Sequence, residues 1–142
     1  MAKSVKLHIL TPSNVFYEGN VNIVIARTQR GDEGFMADHL WACKLLAIGE
    51  LWIKEAGEKD FKIAAVSGGF VDVKDDIVVY TDAAEWSEDI DAARAKEKKA
   101  AMETWLSEHP EDNPKLIAAA RISVAKQTTR MNVAGGGSRR KH

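Results

Sequence analysis

The stretch Glu85-Trp86-Ser87-Glu88-Asp89-Ile90-Asp91-Ala92-Ala93-Arg94-Ala95 sets a carboxylate and a guanidinium three residues apart, at Asp91 and Arg94. On a helix that spacing brings both side chains to one face, where they can pair with each other or hold a polar ligand. A second cluster, Gly31-Asp32-Glu33-Gly34-Phe35-Met36-Ala37-Asp38-His39, collects three acids and a histidine in a glycine-bounded stretch. It reads as a loop between strands, a place from which a rigid scaffold presents charge to a partner. The third feature is cationic. Asn113 to His142 carries Lys115, Arg121, Lys126, Arg130, Arg139, Arg140 and Lys141 with no acid, so this end of the chain calls for a negative partner or open water.

What is missing narrows the chemistry further. There is no GxxxxGK[ST] phosphate loop, no GxGxxG, no HExxH and no CxxC pair. His8, His39, His109 and His142 are scattered, and no nucleophile, base and orienting group stand close together in the chain. Neither a catalytic set nor a metal site is expected.

These groups sit in a chain of 142 residues, 45% apolar and 29% charged, enough for one domain or a small domain with an appendage. The net charge of −1 hides a division. Residues 1–85 hold 9 basic and 13 acidic side chains and residues 86–112 hold 4 and 8, each a net of −4, against +7 for the remainder. The lone Cys43 offers no intramolecular disulfide and reads as a small buried apolar residue. The N-terminus has no apolar signal region and no transit character, which suits a cytosolic chain. No apolar run approaches the ~20 residues of a membrane-spanning helix, so membrane association would be borrowed from a partner.

Period-two patterns position the first two clusters. Val5, Leu7 and Ile9 alternate with polar residues, Val21, Ile23 and Ile25 are read as one face of a second strand, and the rhythm returns up to Thr81. Turn residues punctuate it, as in Thr11-Pro12-Ser13 and Ser67-Gly68-Gly69. Such spacing predicts an antiparallel β-sandwich or flattened barrel over 1–85.

From Asp82 the period changes. Trp86, Ile90, Ala93, Ala101 and Trp105, with Glu97, are read as the inward stripe of a helix starting near Ser87 to Asp89 and ending at His109-Pro110. Asn113-Pro114 restarts a helix to about Thr129, with Leu116, Ile117, Ala120 and Val124 inward. The prediction is therefore β + α, a sandwich followed by an antiparallel two-helix hairpin over 86–134 and a loose tail over 135–142. The alanine-rich lining makes each helix contact small, at about 0.8 kcal/mol per buried methylene, so the hairpin should dock reversibly.

The ordered series LHILTPSNVFYEG, RTQRGDEGFMADH, LLAIGELWI, AAVSGGFVDVKDD, AAEWSEDIDAARA and ARISVA resembles the epsilon-subunit family of the bacterial F-type ATP synthases, from Lys6 to about Lys126. That resemblance implies a non-catalytic rotor subunit, peripheral at the cytoplasmic face of the inner membrane. Its implied partners are the gamma subunit, the c-subunit ring and the catalytic alpha and beta subunits. It implies no nucleic acid, and the basic second helix indeed lacks aromatic residues for base stacking. The hairpin would permit hydrolysis when folded on the sandwich and block it when extended along gamma. Lys115, Arg121, Lys126 and Arg130 would form the inhibitory basic helix, steered to an acidic loop of the catalytic subunits.

The ring-facing positions of the family correspond to Asp32, Glu33 and His39, although Ala37-Asp38 replaces a usual Pro-Gly and Trp41 a usual proline. The nucleotide motif of the ATP-sensing members stands as Ile90, Asp91, Arg94 and Ala95, with Glu85 and Arg121 also matched. Two further arginines of that site are Ala101 and Ile117 here. No cofactor is required, and with those two cationic donors lost the reading is weak or absent binding of ATP, with or without magnesium, as a regulatory ligand.

Overall fold

In the computed structural model, which describes residues 3–137, seven strands precede two helices. The strands are β1 (Val5–Leu10), β2 (Val15–Thr28), β3 (Gly31–Phe35), β4 (Ala42–Glu55), β5 (Lys62–Val73), β6 (Ile77–Tyr80) and β7 (Ala84–Trp86). A single 3-10 turn at Ser87–Asp89 leads into α1 (Ala92–Glu108) and α2 (Pro114–Ala134). The order across the sheet is β1-β6-β5-β4-β2-β3, and β1 also pairs with β2, so five strands close a ring with β3 appended to β2 and β7 to β5. Only β1 and β6 run parallel among these pairs. The long strands β2, β4 and β5 serve different neighbours along their length, which folds the ring into the two layers of a sandwich.

Alternation fills the interior. Leu7, Ile9, Phe35, Leu51, Ile53, Val71, Ile77 and Val79 are fully buried there. The expected phase of β2 holds only at its start, because a register irregularity between Val21 and Ile23 turns the strand over. Beyond it Val24 and Ala26 enter the core, while Ile25 faces a second cluster under the helices. The stretch read as a loop from Gly31 is a strand as far as Phe35, in antiparallel register with Val24 to Thr28. One apolar residue in five left no period to see. Cys43 is exposed, not buried, since it shares the outer face of β4 with Leu45.

The helices differ from expectation in face more than in extent. Trp86 ends β7 rather than joining a helix stripe, and its ring stacks on Phe16 at 4.6 Å. In α1 the covered face runs through Ala95, Lys99, Met102 and Leu106, while Ala93, Glu97 and Ala101 are exposed. Leu116 is 52% exposed near the hairpin tip, away from the sandwich. The Thr128-Thr129 pair does not end α2: the Thr128 hydroxyl donates to the Val124 carbonyl at 2.8 Å and Thr129 is buried. Tertiary contact outweighs the weak propensity.

It is α2 that lies against β4 and β5, and α1 packs chiefly on α2. Val133 is buried with Trp52, Ile63 and Ala65. Just beyond, Gly137 (φ +85°) comes so near that an added Cβ would stand 2.5 Å from the Trp52 ring and 2.8 Å from the Glu50 carboxylate. The part of the expected tail at 138–142 lies outside the described residues.

Candidate functional site

The base of the hairpin meets the sandwich at a cleft of about 310 Å³. Its polar walls are Ser67 on β5, Glu85 on β7, Lys98 on α1, and Lys126, Gln127, Thr129 and Arg130 on α2. β7 is short, but its three residues pair with Ala64 to Val66, which fixes Glu85 opposite Ala65. Antiparallel packing then brings the helical residues over it. Lys98 and Lys126 stand equally far in sequence from the turn at Asp112, so reflection about that turn places them together.

Arg130 closes the cleft as a fork. Its Nε donates to Glu85 Oε1 at 2.7 Å, Nη2 to Glu85 Oε2 at 3.3 Å and Nη1 to Gln127 Oε1 at 2.8 Å. Side-chain exposures of 18% for Arg130 and 37% for Glu85 make this a half-buried pair, stronger than one in open water. Among the residues lining the cleft, three cations face one carboxylate. The local field therefore remains positive after the pair has formed.

The other motif residues take separate positions. Asp91 is the N-cap of α1, its Oδ1 accepting the Arg94 backbone N–H at 3.0 Å, while the Arg94 side chain is exposed. Ile90 packs, half-buried, against the cluster of Trp52 and Ile63, and Ala95 is fully buried. Arg121 is exposed and is not among the cleft residues. Nine residues separate it from Arg130, a rotation of about 180° around the helix, so the two point to opposite sides. Lys115, Lys126 and Arg130 fall within about 60° of one another by the same geometry.

Asp32 and Glu33 lie on β3, whereas His39 follows it. Arg27 Nε donates to Asp32 Oδ1 at 3.1 Å, and Lys44 pairs with Glu33. Hydrogen bonds from Lys44 and then Thr28 hold the Glu33 carboxyl below the usual carboxylate range. His39 Nδ1 lies 2.7 Å from the Leu40 carbonyl, and its ring is 5.2 Å from that of Phe35. Next to these charges Met36, Leu40 and Trp41 are exposed, Leu40 to 84%.

Sequence reading placed Glu85 and Arg130 in different groups and passed over Lys98 and Gln127. Reflection about the helix turn was a signal for Lys98 with Lys126; nothing local signalled the Glu85–Arg130 pair, whose partners are 45 residues apart. Among the described residues no three His, Cys, Asp or Glu side chains cluster as metal ligands, and no helix is long and apolar enough to cross a membrane.

Comparison with known proteins covers both halves of this arrangement. Residues 4–87 match the family described as ATP synthase, delta/epsilon chain, beta-sandwich domain. The ATP synthase epsilon chain of Alkaliphilus oremlandii is 43% identical over 108 residues, covering 75% of this chain and 79% of that one. That of Bacillus pumilus is 34% identical over 134 residues, 94% of this chain and 98% of the other. Among solved structures, a chain of the Euglena gracilis mitochondrial ATP synthase assembly of OSCP, F1 and c-ring aligns with a TM-score of 0.75 at 22% identity, covering 89% of this chain and 78% of that one. One from the Tetrahymena thermophila mitochondrial central stalk and c-ring gives 0.59 at 15%, covering 91% and 97%. These two share the fold.

Proposed function

The chain belongs to the epsilon-chain family of the bacterial F-type ATP synthases, and from that membership we propose that it is a non-catalytic subunit of the rotating central stalk whose hairpin brakes ATP hydrolysis. In this reading it is peripheral at the cytoplasmic face of the inner membrane, held there by the proton-translocating complex. The sandwich is the stiff part that turns with gamma and the c-subunit ring. Asp32, Glu33 and His39, beside exposed Met36, Leu40 and Trp41, are the residues assigned to that contact.

The observation that carries the brake is the narrow attachment of the hairpin, through the last turns of α2. In the compact form Lys126 and Arg130 line the cleft, leaving Lys115 and Arg121 exposed. An extended hairpin would offer all four to the catalytic alpha and beta subunits, where opposite charge favours encounter. Deleting residues 87–142 in the assembled enzyme should leave coupled synthesis largely intact and raise hydrolysis severalfold. Unchanged hydrolysis would remove the brake.

A second reading, ATP sensing at the junction, is favoured by the three cations that share the cleft with the single carboxylate of Glu85. Polyphosphate would compete with Glu85 for Arg130, and Arg121, turned the other way, would have to be reached by movement. Titration of the chain with ATP and magnesium, alongside Asp91→Ala and Arg94→Ala, tests it. A signal that fails to saturate dismisses it.

A further inference from the structure

We propose that the Glu85–Arg130 fork is a clasp that closes the base of the hairpin onto the sandwich, with Glu85 as its dominant half. The pair joins residues 45 apart, and the chain between them holds all of α1 and α2 up to its last turn. Glu85 is anchored through the pairing of β7 with β5, on the far side of the 3-10 turn from α1. Arg130 reaches it from the penultimate turn of α2, and Gln127 holds the remaining guanidinium nitrogen in line. One turn further on, Val133 is buried on Trp52 and Ile63. The attachment therefore has two parts, an apolar seat that excludes water and an ionic latch beside it.

Charge makes the latch asymmetric. Lys98 from α1 and Lys126 from α2 face the same cleft as Arg130, and Glu85 is the carboxylate on its walls. Removing Arg130 leaves two lysines near one acid, still attractive. Removing Glu85 leaves half-buried Lys126 and Arg130 and exposed Lys98 around one cleft with no acid on its walls, and like charges repel. The acid on the sandwich thus governs release of the basic helix, and opening frees Lys126 and Arg130 together. The consequence for hydrolysis rests on the brake reading; the clasp itself does not.

Backbone hydrogen exchange on the full-length chain, resolved along the sequence, tests it. In Glu85→Gln, amides of α1 and α2 should exchange at least about tenfold faster than in the wild type, with amides of β1 to β6 unchanged. Arg130→Gln should give a smaller acceleration, Arg130→Lys a smaller one still because it keeps the charge and loses the fork, and the doubly exchanged Glu85→Arg/Arg130→Glu chain should recover most of the protection. The clasp is overturned by helix exchange within twofold of wild type in both glutamine variants, or by equal acceleration in sandwich and helices. Arg130→Gln outpacing Glu85→Gln would overturn the asymmetry. If Glu85→Gln does not fold, Arg130→Lys against wild type decides the matter on the same measure. Unchanged exchange with hydrolysis raised by hairpin deletion sinks the clasp alone; accelerated exchange with hydrolysis indifferent to that deletion sinks the brake alone.

Discussion

The interior of the sandwich and the seat beneath α2 are formed by the two faces of the same strands, yet they are held together very differently. Sixteen buried apolar residues from β1 to β6 interlock inside, most of the large ones with no exposed surface. Outside, the buried cluster is Trp52, Ile63 and Ala65 on the sheet with Val133 as the single fully covered side chain from the helix. Fully burying one valine is worth about 1.5–3 kcal/mol and a charge-assisted hydrogen bond about as much. Opening the seat would also uncover Trp52 and Ile63 on the sheet, so it amounts to several such contributions, against sixteen interlocked residues in the core. A region held by so few side chains is expected to open at a lower free energy than the core.

The largest expected effect would break the stronger side of this contrast. Ile53→Ala removes a fully buried side chain and should cost about 2–5 kcal/mol in global unfolding by denaturant, strands and helices melting together. A loss confined to the helices would mean that Ile53 does not support the strands. Next comes the weaker side: Val133→Ala should cost about 2 kcal/mol, read as faster hydrogen exchange in α1 and α2 with protection of the sandwich amides retained. If the sandwich loosened equally, the two regions would be one cooperative unit.

Asp91→Ala should cost about 1 kcal/mol through the lost N-cap of α1, seen as fraying of its first turn by amide exchange, whether or not a nucleotide binds there. No change would mean that the Arg94 amide finds another acceptor. The smallest effect belongs to acid. Hydrogen bonds from Lys62 and then Tyr17 hold the Glu55 carboxyl below its ordinary 4.5 in the folded state. Its contribution is thus fully present above the unfolded value and disappears as pH falls through the lowered folded one. Wild type should lose its stability advantage over Glu55→Gln across that acid window and keep it at neutral pH, as followed by urea melts.

Signals confined to a few neighbouring residues were readable in the chain alone. Alternation in β1 and β6, the cap at Asn113 before Pro114, the stop at His109-Pro110 and the two-part plan all depend on contacts within about four positions. The site was readable only in pieces. Asp91 and Arg94 were seen as partners at three residues' spacing, and the structure uses that spacing for a side-chain-to-backbone cap. Which face of α1 turns inward was not readable, because alanines lie on several sides of it and no stripe is strongly apolar.

Composition and local pattern alone determined that a strand-rich head is followed by two helices with a cationic second member, since those choices are made by backbone preferences and short-range chemistry. Tertiary structure decided the turnover of β2, the strand at Gly31 and the meeting of Glu85 with Arg130. Each depends on register and docking across long stretches of chain, where a shift of one residue or a rotation of one helix changes every neighbour. No short window of sequence carries that information.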